Sequence, residues 1–355
     1  MKPALSCLLV FLIVQVFVSC GDSSNENINS SISSPKKTKQ TNAEMVWISG
    51  GEFIQGAVIE GEYRREYPAH KTKVRGFWMD KTEVTNSQFI EFTEATGYVT
   101  VAERDVDWEQ IKTQVPPGTP KPADSVLKAG SLVFTPPNHK VSLDDINQWW
   151  SWRIGANWKS PEGPGSDISN RMDHPVVHIA FEDALAYCKW AGKRLPTEAE
   201  WEYASKGGIE NARYAWGNED PTKDSINGAK LANIWQGDFP HNNTTVDGFY
   251  GTAPVGHYPP NGYGLYDMAG NVWELCSDLY AVNYYDQVKN IALCENPKGP
   301  TKSWNPQEPY ATERVHKGGS FLCHVSYCEN YRNSAREGTA EDTGMPHLGF
   351  RCVRD

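Results

Sequence analysis

At 355 residues, 39% of them hydrophobic and 12% aromatic, the chain has enough apolar side chains to bury a sizeable core and is not a disordered polypeptide. A formal charge of −10, with one short basic run at Lys36-Lys37-Thr38-Lys39, argues against a nucleic-acid partner, which needs a basic face. Thirty Gly and 23 Pro beside 13 Trp and 16 Tyr predict a turn-rich, aromatic-rich body with few long regular elements, because Gly and Pro interrupt helices and strands alike.

In chain order, residues 1–19 carry one early cation, Lys2, and then an apolar run from Ala4 to Val18 that is too short for an ordinary spanning helix and reads as a secretory signal. The string Phe17-Val18-Ser19-Cys20-Gly21 resembles a bacterial lipobox, which implies a lipid anchor on Cys20 as the sole membrane attachment. The expected location is the bacterial cell envelope, periplasmic or on the outer surface, with a soluble secreted form as the alternative. Residues 20–43 then comprise Cys20 and a flexible tether of Ser, Asn, Lys and Thr, and the folded domain is expected over 44–355.

Within that domain three helices are predicted. One runs from Asn86 to Thr96, capped by Thr85 with Gln88 three residues on, closed by Gly97 and turning Phe89, Ile90 and Phe92 inward. A second covers Phe181 to Ala191, with Phe181, Ala184, Leu185, Cys188 and Ala191 on its inner face and Gly192 as its stop. A third starts after Thr197, whose capping partner is Glu200. Glu198 and Glu202 next to it are expected to be solvated rather than a catalytic carboxylate pair. Between the first two helices, Trp149, Trp150, Trp152 and Trp158 sit among Gly and Pro, which reads as a loop packed down by aromatics, or else as part of a peptide-binding surface.

Six cysteines fall in the domain, at 188, 276, 294, 323, 328 and 352. Cys323 and Cys328 on a helix would stand roughly 140° apart at about 100° per residue, so to meet they must lie on a turn or strand end. Gly318-Gly319-Ser320 just before them supports a tight approach. Two thiols so placed form a structural disulfide, a redox pair, or a ligand set for a soft metal such as Cu(I).

The strings from Ala186 to Tyr203 (AYCKWAGKRLPTEAEWEY), Gly270-Asn271-Val272-Trp273-Glu274, Gly318-Gly319-Ser320 and Gly349-Phe350-Arg351 together resemble the formylglycine-generating, sulfatase-modifying family. Further matches are Gly155-Ala156-Asn157-Trp158, Asp173-His174-Pro175-Val176, Ala232 to Gly237, and Pro259 to Tyr266. The resemblance implies one irregular α+β domain of the C-type-lectin-like kind, low in regular secondary structure. Its cysteine segment, Ser320 to Cys328, is similar to that of the oxidases of the family, which act on an unfolded sulfatase segment of the form Cys-x-Pro-x-Arg. The alternative is a non-catalytic envelope lipoprotein with the same fold.

Carried over residue by residue, the resemblance implies that Cys323 and Cys328 hold Cu(I), that Ser320 lines the pocket beside them, and that O2 is the electron acceptor. It also implies two structural Ca²⁺ sites, one from Asn233 and Asp247 with the carbonyls of Ile234 and Phe249, the other from Asp267 and Glu274 with the carbonyls of Gly270 and Val272. Cys188 and Cys352 match a disulfide of the family, a second family disulfide is replaced by Ala204 and Asn333, and pairing Cys276 with Cys294 would use the remaining thiols. His324, between the two copper cysteines, is expected at the surface or behind the ligands rather than as a third ligand.

Overall fold

The computed structural model describes residues 45–222 and 231–355. The signal segment, Cys20 and the tether lie outside the described residues. Strands β1 (Met45–Ile48), β2 (Gly51–Gln55), β3 (His70–Val74) and β4 (Phe77–Asp80) open the fold. There follow β5 (Gly130–Phe134), β6 (Trp150–Ile154), β7 (Gly237–Asp238), β8 (Asn242–Asn243), β9 (Trp273–Leu279), β10 (Cys294–Glu295), β11 (Glu313–Lys317), β12 (Glu337–Ala340), β13 (Leu348–Gly349) and β14 (Val353–Arg354). They form small sheets in the orders β1-β4-β14, β10-β3-β2 and β12-β11-β9-β13, with β5-β6 and β7-β8 as two-stranded pairs. In β3, His70, Thr72 and Val74 are buried and Lys71 and Lys73 exposed, the period-two pattern of a half-covered strand. Nearly all of β9 is buried, as expected of a central strand covered on both faces.

The helices are α1 (Asn86–Thr96), α2 (Trp108–Ile111), α3 (Phe181–Ala191), α4 (Glu198–Ser205) and α5 (Tyr284–Val288), and none is long and apolar enough to cross a membrane. The three predicted helices are present. Helix α1 carries its full capping box, Gln88 N donating to Thr85 Oγ1 (3.3 Å) and Thr85 N to Gln88 Oε1 (3.0 Å), and ends on left-handed Gly97. Helix α3 buries Phe181, Ala184, Tyr187 and Cys188 but leaves Leu185 43% exposed, because the inner face runs through Tyr187 and rolls Leu185 to the rim. The tryptophan-rich stretch is more ordered than the expected loop, since Trp150 to Ile154 pair in register with Gly130 to Phe134 as a hairpin.

At the start of α4, Glu200 N donates to Thr197 Oγ1 (3.1 Å) and Thr197 N to Glu200 Oε2 (2.9 Å). Thr197→Ala is expected to cost about 1 kcal/mol, read as a lower urea midpoint with an unchanged slope. The expectation that Glu198 and Glu202 are solvated is overturned: both are fully buried. Arg336 forks onto Glu198 at 2.5 and 3.0 Å, and Lys317 donates to Glu202 at 2.9 Å. Burial of a carboxylate requires a partner, and here each partner comes from more than a hundred residues downstream. Two further buried forks, Arg332 on Glu66 and Arg351 on Glu274, extend this set of buried ion pairs.

Candidate active site

Gly318 (φ +92°) and Gly319 (φ +69°) take the chain out of β11 through the left-handed region that only glycine enters freely. A Cβ on Gly319 would come within 2.8 Å of Tyr331 N, so this turn is packed directly on the backbone that follows the second cysteine. Cys323 N donates to Ser320 O (2.9 Å), and Cys328 N reaches back to His324 O (2.7 Å), so a single turn separates the two cysteines. They meet as the sequence required, off any regular helix. The Cys323 thiol is in hydrogen-bond contact with the Cys328 sulfur, and burial, then this contact, pushes it well above the ordinary thiol range. Cys323 is 1% exposed whereas Cys328 is partly open, and both are free thiols.

The pair opens onto a cavity of about 410 Å³ whose wall includes Ser320, Cys323, Cys328, Trp273, Trp150 and Tyr327. Ser320 therefore sits where it was expected, its Oγ accepting from Leu322 N (3.2 Å). A satellite core of Trp149, Trp235, Phe239, Phe321 and Leu322, with Trp150 and Tyr327 packed on it, ties the β5-β6 hairpin to the cysteine loop. The packing reading holds for Trp149 and Trp158, which are buried, while Trp150 belongs to the cavity wall. His324 is half-buried and its Nδ1 is occupied by Ser326 Oγ at 2.8 Å.

Two cavity histidines were not singled out from the sequence. A register shift between Arg314 and His316 re-aims the end of β11, and His316 stands edge-on to Trp273 with ring centroids 4.2 Å apart. His347 stacks on Trp150 at 5.1 Å. Both are buried, both have an Nδ1 without a partner, and burial pulls each down to about 3. Their unfolded value is about 6.5. Between those limits the unfolded chain binds more protons, so stability is intact above about pH 6.5 and falls as pH drops toward 3, by up to about 1.4 kcal/mol per pH unit per histidine. Urea midpoints between about pH 7 and pH 4 should trace this fall, and His347→Gln should flatten it.

The two candidate cation sites are joined through Gly270 and Asn271. A Cβ on Gly270 would fall 2.3 Å from Asn233 O, and Asn271 links the two sets by donating from its backbone N to Asn233 O (2.8 Å) and from Nδ2 to Glu83 Oε1 (2.9 Å). Asn233 is buried with its amide nitrogen turned to Gly251 O (2.9 Å), and Asp247 Oδ1 accepts from Phe249 N (3.1 Å). Ile234 and Val272 are buried beside them. Asp267, at φ +55°, accepts from Gly256 N (2.6 Å) through Oδ2, while its Oδ1 is buried without a partner. Glu274 is more committed than expected: Arg351 takes both its oxygens at 2.6 Å and Trp201 Nε1 adds a third donor at 2.8 Å. The other orphaned oxygen is Glu83 Oε2, from a residue the sequence reading missed. Burial, then the charge of Asp267, raises Glu83 well above the carboxylate range, and burial pushes Asp267 up to about 6. Two buried carboxylate oxygens without hydrogen-bond donors fit a hard cation. Among the described residues no three His, Cys, Asp or Glu side chains converge as a ligand set.

Of the remaining thiols, Cys188 Sγ and Cys352 Sγ lie 3.4 Å apart in the core. The structure does not bring Cys276 and Cys294 together in the same way. Cys276 packs in the main core and Cys294 in a separate cluster with Ala281, Tyr284, Tyr285 and Val288.

The sulfatase-modifying factor enzyme 1-like domain matches residues 31–355. The chain is 44% identical over 313 residues to the formylglycine-generating enzyme of Mycobacterium tuberculosis, covering 88% of this chain and 98% of that one. It is likewise 44% identical to the formylglycine-generating enzyme of Mus musculus, over 88% of this chain and 75% of that one. Among solved structures, PvdO from Pseudomonas aeruginosa shares the fold, with a TM-score of 0.53 at 23% identity over 88% of this chain and 94% of that one. With the domain matched across nearly the whole chain and 44% identity to these formylglycine-generating enzymes, the chain belongs to the sulfatase-modifying, formylglycine-generating enzyme family.

Proposed function

We propose that the chain oxidises a cysteine of a sulfatase polypeptide to formylglycine, with Cu(I) on Cys323 and Cys328 and O2 as electron acceptor. The observation that carries this reading is the pair of thiols in contact at the wall of the cavity, one buried and one open, in a chain of this family. Two soft sulfur donors suit Cu(I), and the bound metal would supply a meeting point for thiolate and O2. The chain's own residues do the rest. The Gly318–Gly319 turn fixes the two sulfurs, the aromatic wall excludes water, and the open side of Cys328 leaves room for a substrate cysteine in extended peptide. Removal of the substrate's thiol proton, one Cβ proton and two electrons, which O2 takes up as hydrogen peroxide, gives a thioaldehyde, and addition of water to it gives the aldehyde with hydrogen sulfide leaving.

The test is to load purified protein with Cu(I) and incubate it in air with a peptide containing Cys-Thr-Pro-Ser-Arg, reading product mass and aldehyde reactivity. Conversion supports the reading, and a copper-binding protein that leaves every cysteine peptide unchanged sinks it.

Calcium at the Asp247 and Asp267 sites, with Glu83 added to the second, belongs to the same proposal. Chelation should lower the thermal midpoint and Ca²⁺ restore it, by about 2.7 kcal/mol at a hundredfold excess over Kd, and Glu83→Gln should blunt the response. A bridge between Cys188 and Cys352, export, and lipidation at Cys20 complete the reading. Peptide mapping without reduction and mass analysis of the mature N-terminus test them.

A further inference from the structure

Two thiolates held side by side in a buried turn repel each other and compete for few donors, so whatever donates to both decides whether they stay at ligand spacing. One residue does so here. The Nδ2 of Asn330 donates to Cys328 Sγ at 3.4 Å, while its backbone amide, together with that of Ser320, donates to the sulfur of Cys323. Asn330 is itself 4% exposed and cannot swing away. Its Oδ1 accepts from Arg65 Nη2 at 3.3 Å, which also fixes which end of the amide faces the sulfur. Arg65 in turn is pinned by Arg336 O (2.6 Å), by Glu337 (2.6 Å) and by the face of Tyr63 (4.3 Å). Among the described residues lining the cavity it is the only Lys or Arg.

We infer that Asn330, oriented by Arg65, is a positioning residue of the copper site: it clamps both cysteine sulfurs, directs their lone pairs, and stabilises them as a pair of metal-binding thiolates. The inference rests on the copper reading above. A hydrogen bond to a ligand sulfur withdraws electron density and restricts its direction, and removal of such outer partners costs about 10–100-fold in metal affinity. Loss of the Asn330 side-chain amide would leave Cys328 Sγ its contact with Cys323, while the backbone amides would remain for Cys323.

The experiment measures Cu(I) affinity of the full chain by competition with a coloured Cu(I) chelator, for wild type, Asn330→Asp and Asn330→Ser. Asn330→Asp keeps the shape and the Arg65 contact but sets a carboxylate against the sulfur. Asn330→Ser keeps the backbone amide and removes the clamp. Affinity is expected to fall about 10–100-fold in both, more in the aspartate variant. The ultraviolet Cu(I)–thiolate band should move in both, with near-ultraviolet circular dichroism unchanged. If both variants bind Cu(I) within about twofold of wild type with an unmoved band, Asn330 is only structural and the inference is wrong. A wild-type chain that fails to bind Cu(I) overturns the copper reading and this inference together, and the two failures are told apart by the wild-type titration alone.

Discussion

Cys323→Ala is expected to abolish conversion of a cysteine peptide while barely disturbing the fold. Outer partners of a metal ligand already cost about 10–100-fold when removed, so loss of a ligand itself should exceed about 100-fold in kcat/KM. The side chain is 1% exposed and contributes a single sulfur to the core, so the stability cost should stay within the ordinary range of about 0.5–3 kcal/mol for a point change. Cys328→Ala should behave the same way. His324→Ala should retain activity within about twofold, because its Nδ1 is turned to Ser326 and away from the sulfurs. Product mass against time for the three variants separates a ligand role from a general one: equal losses in all three would mean that the loop, and not the sulfur pair, is what matters.

Arg351→Met carries the largest expected loss of stability, about 3–5 kcal/mol, the cost of stranding a buried charge. Its guanidinium forks onto Glu274, reaches the carbonyls of Lys81 (3.1 Å) and Tyr266 (2.8 Å), and lies 3.9 Å from Glu83. Removing it leaves Glu274 and Glu83 buried with less positive charge against them, and Asp267 close by. Urea unfolding should show the midpoint fall, and the companion Arg351→Met, Glu274→Leu double variant should recover part of it, because an apolar pair of similar volume needs no counter-charge. A double variant as unstable as the single one would show that the ion pair is not the source of the loss.

The helices were legible because their signals are local. A Thr with Gln or Glu three residues on, or a Gly after an apolar stripe, states its own boundary: α1 and α4 begin on such a Thr, and α1 and α3 end on such a Gly. The cysteine turn was legible for a similar reason, since a five-residue spacing after Gly-Gly forbids a helix and requires a turn. The buried carboxylates were not. Glu198 and Glu202 look like the polar face of a surface helix, and nothing within ten residues of them reveals Arg336 or Lys317. Glu83 was missed for the same reason, its neighbour Asp267 being supplied by a distant turn. His316 and His347 had no local mark at all: the first owes its direction to a register shift between strands, and the second to a tryptophan on the β5-β6 hairpin.

The buried ion pairs also dictate when this chain can fold. Glu66, Glu198, Glu202 and Glu274 wait for Arg332, Arg336, Lys317 and Arg351, at separations of 266, 138, 115 and 77 residues. A nascent chain that stops short of residue 317 holds all four acids and none of their counter-charges, so it cannot close its interior without stranding them in a dry core. The interior therefore closes only when residues 317–351 are available. Such a chain completes its cavity only once synthesis has passed Arg351.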